Sequence, residues 1–273
     1  MNAGRRNIRL QVNYFIVLAL FSGLLASCAQ QEVSVDGRVF DKQKAVAVSI
    51  QAGIEYIKAG VPEAAQRHLD RAIQLDPHSA EAHNALALLY QQTGDVQLEE
   101  AHLKKALSEN SQYSQARNNY GSFLYRQGKY KAALKQLTYA AEDTHYDKRD
   151  LAYENMGHCA ARLGNLALAE QSFTKALRLN PTLVDDYLEL AQLAFAQQQW
   201  QKSNNYLKQF STARRQTARS LWLGIQLARQ LNLKDDLSSY ELALKNLYPN
   251  SAEYQLYQQS LTGSPSPHTP IHP

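Results

Sequence analysis

The sequence lacks an apolar run long enough to cross a membrane as a helix. Its extended apolar stretch, residues 12–26, has fifteen residues, whereas a membrane-spanning helix needs about 20. Arg5, Arg6 and Arg9 precede this stretch, and small residues end it, which is the pattern of a secretory signal. We therefore expect residues 1–27 to be a signal peptide that is removed.

The sequence also lacks a strong excess of charge. It has 29 basic and 25 acidic residues, but the first 27 residues contain three arginines and no acid. The remaining chain has 26 basic and 25 acidic residues, a net charge of +1. Because nucleic-acid binding needs a concentrated basic surface, we expect no nucleic-acid partner.

Motifs of catalysis and metal binding are missing. The eight histidines form no HExxH motif, no GxSxG occurs, and Tyr130 follows Gly128-Lys129 where a phosphate loop needs Ser or Thr. His158 and Cys159 are adjacent on a predicted helix, so they point about 100° apart and make poor paired ligands. We expect a buried structural pair, no enzyme, no metal, no cofactor and no small-molecule substrate.

Cys28 and Cys159 are the two cysteines of the chain. The stretch Leu25-Ala26-Ser27-Cys28 resembles the lipobox of bacterial lipoproteins, in which the cysteine accepts a diacylglyceryl group and becomes the new N-terminus. The alternative is an ordinary cleavage site with a chance cysteine. Acylation of Cys28 would leave Cys159 alone, so we expect no intramolecular disulfide and a stability that depends on packing.

Acyl chains would attach the protein to a membrane without a spanning segment. Ala29 stands where an Asp would suggest retention at the inner membrane, so the resemblance to other lipoproteins implies the periplasmic face of the outer membrane. Residues 28–41 are polar and without sustained periodicity, and we interpret them as a lipidated tether. The lipid anchor is the one membrane contact that we expect.

A repeat organises the rest of the chain. Candidate turn residues separate pairs of apolar stripes with helical periodicity, at steps of 34, 34, 36, 34 and 34 residues. These turn residues are Gly60, Gly94, Gly128, Gly164, Gln198 and Asn232. Small residues recur in phase in the first helix of the units, where two helices must approach closely: Gly53, Ala87, Gly121, Gly157 and Ala191. Pro77, Pro181 and Pro249 mark the ends of three second helices.

This pattern resembles the tetratricopeptide repeat, a helical hairpin that stacks into a right-handed superhelix. We expect an all-α solenoid of six hairpins plus a C-terminal capping helix over residues 42–261. Units five and six match weakly, because Gln198 and Asn232 replace small residues there. Residues 262–273 contain four prolines and are expected to be a disordered tail.

Such repeats present the first helix of each unit to a concave groove. The resemblance assigns to this groove three isoleucines of unit one and three residues of unit two: Ile50, Ile54, Ile57, Asn84, Leu88 and Gln91. Either the isoleucines are covered by the tether or by ordinary packing, or they form an exposed apolar strip that binds a peptide of a partner. We expect the protein to be a monomer.

Three longer stretches resemble the PilF/PilW family of type IV pilus biogenesis lipoproteins: Asn118 to Tyr125, Ala218 to Ile225, and Leu247 to Tyr254. The resemblance implies a pilotin, an outer-membrane lipoprotein that binds subunits of the pilus secretin and promotes their localisation and assembly. The alternative is a general periplasmic adaptor that scaffolds peptidoglycan hydrolases or another envelope complex. An enzyme would require a site near Glu154 and His158, and their spacing does not support one.

Overall fold

The computed structural model describes residues 41–262, and within this range the chain forms thirteen helices and no strand. Six pairs of helices follow one another, and a single helix ends the array. The helices are α1 (Lys42–Lys58), α2 (Pro62–Leu75), α3 (Ala80–Thr93), α4 (Val96–Glu109), α5 (Ser114–Arg126), α6 (Tyr130–Glu142), α7 (Arg149–Arg162), α8 (Leu166–Leu179), α9 (Asp185–Ala196), α10 (Trp200–Ala213), α11 (Ala218–Gln230), α12 (Lys234–Leu247) and α13 (Ala252–Leu261).

The helices pack as hairpins, each first helix against its own second helix, from α1 with α2 to α11 with α12. Each second helix except α12 also contacts the first helix of the next unit. Consecutive first helices contact one another from α1 through α3 and α5 to α7, and again between α9 and α11. The last helix, α13, packs on α11 and covers Leu221, Trp222 and Ile225 at the open end. The prediction of six hairpins and a capping helix is confirmed.

The six turn residues all adopt the left-handed backbone conformation. The values of φ are 71° at Gly60, 81° at Gly94, 71° at Gly128 and 74° at Gly164. Gln198 and Asn232 continue the series with φ of 59° and 55°, although both carry a side chain. In every unit the amide after the turn residue donates to a carbonyl five residues earlier, for example Lys129 to Leu124 at 2.9 Å and Gln199 to Ala194 at 2.9 Å.

The small residues of the first helices lie where the two helices of a hairpin cross. A Cβ at Gly121 would lie 2.5 Å from Cγ of Leu137, and one at Gly157 would lie 2.7 Å from Cε1 of Phe173. Gly53 meets Leu69 in the same way. The large partner always stands sixteen residues after the glycine, and Leu69 also packs against Ala85, Leu86 and Leu89 of the next unit. One large side chain therefore joins both its own hairpin and the stack.

Three of the second helices end just before a proline. Helices α2, α8 and α12 end two residues before Pro77, Pro181 and Pro249, as predicted.

Among residues 41–262, no helix combines the length and the apolar character that a membrane crossing needs. The predicted signal peptide, Cys28 with nearly all of the tether, and the tail beyond Thr262 lie outside the described residues.

The left-handed turn at Gln198 gives a stability prediction. A residue with a Cβ is disfavoured there, so Gln198→Gly should raise the free energy of unfolding by roughly 0.5–1 kcal/mol. The matched control is Gln209→Gly, at an exposed position inside α10, which should lower it by about 1 kcal/mol. Urea unfolding of the full chain measures both. A loss of stability in both variants would contradict the role assigned to the turn.

Candidate partner-binding groove

The predicted groove begins with three isoleucines of α1. Ile50, Ile54 and Ile57 follow one another at helical spacing and are half-buried. Their covered sides pack on a cluster shared by α2 and α3, which consists of Ala65, Leu69, Ala85, Leu86 and Leu89. The arrangement lies between the two interpretations of the sequence, because packing covers part of each side chain and leaves the rest accessible.

The three residues predicted on α3 differ in how accessible they are. Asn84 is only 3% exposed, and its side-chain oxygen accepts a hydrogen bond of 2.8 Å from the amide of Asn119 in the next unit. Leu88 is half-buried and Gln91 is exposed. Leu88 and Gln91 can therefore contact a partner directly, whereas Asn84 links two units beneath them.

Asn84 and Asn119 form the first of two amide pairs between consecutive first helices. Asn155 of α7 donates a hydrogen bond of 3.1 Å to Asn118 of α5, which joins units three and four in the same way. A third pair in the same series would join units four and five, and its two positions hold Glu154 and Glu189. Two carboxylates cannot replace an amide pair, because both only accept hydrogen bonds and they repel each other.

Glu189 is instead paired with the following unit. It is 7% exposed, and Arg219 of α11 donates two hydrogen bonds of 2.8 Å to its two oxygens. Such a bidentate guanidinium pair is among the stronger polar contacts in proteins. Arg219 also donates a hydrogen bond to Gln192, so both of its side-chain partners lie on α9.

An unpaired carboxylate lies beside this pair. Asp186 of α9 is 1% exposed, and neither of its side-chain oxygens has a hydrogen-bond partner within residues 41–262. Burial raises the pKa of Asp186 to about 8, and the nearby charges of Glu154, Glu189 and Asp185 act in the same direction. Burial, followed by the charges of Asp150, Asp185 and Glu189, also raises the pKa of Glu154.

The predicted pair of His158 and Cys159 lies in packed surroundings. Its ring packs edge-on against Phe173 with 5.0 Å between the ring centres, and burial lowers its pKa. Cys159 is fully buried, and burial raises the pKa of its thiol to about 12, so the thiolate that reacts is suppressed. Nowhere in residues 41–262 do three His, Cys, Asp or Glu side chains come together in a way that could hold a metal ion.

Comparison with known proteins places this architecture in a family. Models of the tetratricopeptide repeat match residues 50–115, 99–148 and 151–183. The chain is 36% identical over 244 residues to the type IV pilus assembly protein PilF of Pseudomonas aeruginosa, which covers 89% of this chain and 96% of that protein. The chain belongs to the PilF/PilW family of type IV pilus assembly proteins. Members of this tetratricopeptide-repeat family are scaffolds rather than enzymes.

Solved structures of PilF and PilW agree with this assignment. The structure of Pseudomonas aeruginosa PilF matches with a TM-score of 0.75 and 37% identity, over 80% of this chain and 99% of that chain. PilW, described as a widely conserved type IV pilus biogenesis factor, matches with a TM-score of 0.71 and 25% identity, over 79% and 99% of the two chains. The likeness to the PilF/PilW family therefore extends well beyond the four units that match the repeat models.

The sequence interpretation did not identify the buried and half-buried acids of α7 and α9. The sequence does contain a signal for two of these acids. Asn84 and Asn118, the first members of the two amide pairs, correspond to Glu154 in unit four. The second members, Asn119 and Asn155, correspond to Glu189 in unit five. The burial of Asp186 was not visible, since its neighbour Asp185 is exposed and the two are adjacent in the first turn of α9.

Asp186 gives a pH-dependent stability prediction. Its pKa is about 8 in the folded chain and about 3.9 in an unfolded chain, so its contribution to stability falls as pH rises from about 4 to about 8. Asp186→Asn removes this loss. The variant should match the wild type near pH 4 and exceed it by roughly 1–3 kcal/mol at pH 8.

The control is Asp185→Asn, next in the chain but exposed and paired with Arg214. It should change the free energy of unfolding by less than about 1 kcal/mol throughout. Urea unfolding of the full chain at several pH values gives the difference between each variant and the wild type. A difference for Asp186→Asn that does not grow with pH would contradict the assignment.

Proposed function

We propose that this protein is a pilotin, an outer-membrane lipoprotein that binds subunits of the type IV pilus secretin and promotes their localisation and assembly into multimers. The observation that carries the proposal is the 36% identity to PilF over 89% of the chain, which spans the solenoid and not only its generic repeats. Secretin, anchor and location are inferences that go beyond this family membership.

The anchor in this proposal is Cys28, the cysteine of the lipobox-like sequence. Several acyl chains give stable membrane attachment, whereas one chain gives only marginal binding. Acylated Cys28 would hold the solenoid at the inner leaflet of the outer membrane, and residues 29–41 would let it reach a secretin subunit in the periplasm. Attachment and capture thus fall to separate parts of one chain.

The capture surface in this proposal is the apolar end of the groove. Ile50, Ile54, Ile57 and Leu88 are half-buried, so each has further apolar area that a secretin segment would cover. Covering such area contributes about 25 cal/mol per Å² before the entropy cost of association. Gln91 adds an exposed polar contact, while Asn84 holds α3 and α5 in position. No chemical turnover is needed.

The first test is deletion of the gene in a cell that makes type IV pili, followed by membrane fractionation and unheated gels for secretin multimers. We expect multimers to be lost from the outer membrane, to return with the wild-type gene, and not to return with Cys28→Ala. Normal multimers in the deletion strain would contradict the proposal and favour a periplasmic adaptor with another partner.

The second test concerns the groove. Ile54→Asp places a charge on the apolar strip, and Gln91→Trp places a bulky ring at an exposed groove position without touching the core. Both should reduce secretin co-purification at least fivefold. The matched control is Leu242→Asp, at a side chain 61% exposed on α12, which should leave it unchanged.

Thermal unfolding of each purified variant separates loss of binding from loss of fold. Gln91→Trp keeps the test decisive if Ile54→Asp lowers the stability, since Ile54 packs partly on the core. Normal secretin binding by a folded Gln91→Trp variant, or an equal loss with Leu242→Asp, would argue against the groove as the capture surface.

A further inference from the structure

Two carboxylates, one on α7 and one on α9, have no hydrogen-bond partner within the part of the chain that the structure describes. Asp186 is 1% exposed with both oxygens unpaired, and no side chain or amide within residues 41–262 donates a hydrogen bond to Glu154. A buried acceptor that lacks its hydrogen bond costs about 1–3 kcal/mol, and more when it is charged. A protein retains such a cost where the group has a second use or a missing partner.

The acids that raise the pKa values of these two carboxyl groups have partners of their own. Arg219 binds Glu189 and Gln192, Arg214 pairs with Asp185, and the amide of Asn180 donates a hydrogen bond of 2.7 Å to Asp150. The neighbouring acids Glu189, Asp185 and Asp150 therefore each have a partner. What remains is an uncompensated pair on neighbouring first helices, Glu154 on α7 and Asp186 on α9.

The charged groups around the pair determine what it can attract. On α7 they are Asp150, Glu154 and His158, on α9 they are Asp185, Asp186 and Glu189, and on α11 the group is Arg219. Burial lowers the pKa of His158, which keeps its ring neutral above pH 6.5. With Asp186 protonated at neutral pH, four acids remain against Arg219 and Arg214, and the local excess is still negative.

The chemistry of the pair favours an organic cation over a metal ion. Within residues 41–262 no group of three or more metal-ligating side chains is suitably placed. An ammonium or guanidinium group needs fewer acceptors, because one carboxylate can accept both hydrogen bonds of a guanidinium edge. In a groove that takes up a polypeptide, that cation is the side chain of a lysine or an arginine.

We propose that Glu154, supported by Asp186 on the next first helix, is a binding site for a lysine or arginine side chain of the polypeptide that occupies the groove. Glu154 is half-buried and makes the direct contact, whereas Asp186 is buried and becomes charged when the cation binds. This proposal rests on the proposed function only in taking the groove as a site for a polypeptide. A basic residue in the bound segment would fix its register against the apolar strip of α1.

Binding of a cation should displace a proton from Asp186. The empty site holds Asp186 protonated at neutral pH, since its pKa is about 8. A positive charge beside it favours the ionised form, so the proton goes to solvent when the basic side chain binds. Affinity should therefore rise with pH through the neutral range and level off above the pKa of the empty site.

The test uses the full lipoprotein in detergent and a pentapeptide, acetyl-Gly-Ser-Arg-Ser-Gly-amide. Its control peptide contains citrulline, which has nearly the shape of arginine but no charge. In an NMR titration, the arginine peptide should produce saturable shifts in the amides of α7 and α9 and bind at least tenfold more tightly than the citrulline peptide. Between pH 6 and pH 8 its affinity should increase at least fivefold.

Variants of the protein locate the site. Glu154→Gln should weaken binding of the arginine peptide at least fivefold, and Asp186→Asn should abolish the increase with pH. Glu142→Gln, at an exposed position of α6, is the matched control and should change neither. Equal binding of both peptides, no saturable shift at α7 and α9, or unaltered binding by folded Glu154→Gln and Asp186→Asn variants would overturn the proposal.

This experiment is separate from the secretin assays. Failure of the arginine peptide to bind would remove the cation site and leave the groove test with Ile54 and Gln91 unaffected, because that test uses neither Glu154 nor Asp186. Conversely, loss of the pilotin function would not alter the binding of a free peptide.

Discussion

The close crossing of two helices within each hairpin is the constraint on which the rest of the structure depends. At Gly53, Gly121 and Gly157 the space that a Cβ would take is filled by a large side chain from the second helix. Because that side chain also reaches the next unit, as Leu69 does, helix spacing and unit spacing are set together. A hairpin that opened at this point would lose both its own packing and its contact with the following unit.

This constraint also explains how one face becomes available for binding. With small residues turned toward the second helix, the remaining faces of the first helices lie side by side, where amides of consecutive units bond to one another at 2.8 and 3.1 Å. The side chains along these helices change in character from half-buried isoleucines on α1, through the amide pairs, to carboxylates on α7 and α9. The two ends of this row of helices therefore differ in polarity.

Much of the fold was predictable because the turn has a strict backbone requirement. A left-handed residue every 34 to 36 positions identified all six hairpins, and Gln198 and Asn232 adopt it despite their side chains. The site was less predictable, because register alone does not say how far a neighbouring helix covers a position. Asn84 was expected at the surface and is buried beneath Asn119, and the exposure of adjacent Asp185 and Asp186 differs completely.

The most direct measurement is site-specific photo-crosslinking in pilus-producing cells, with the crosslinker placed either in the groove or on the second helices. Gln91 on α3 and Lys131 on α6 are both exposed and so accept the probe without disturbing the core. The account predicts a crosslink between position 91 and the secretin, and none from position 131. A secretin crosslink from position 131 alone would contradict it, because the secretin would then bind the outer face of the solenoid.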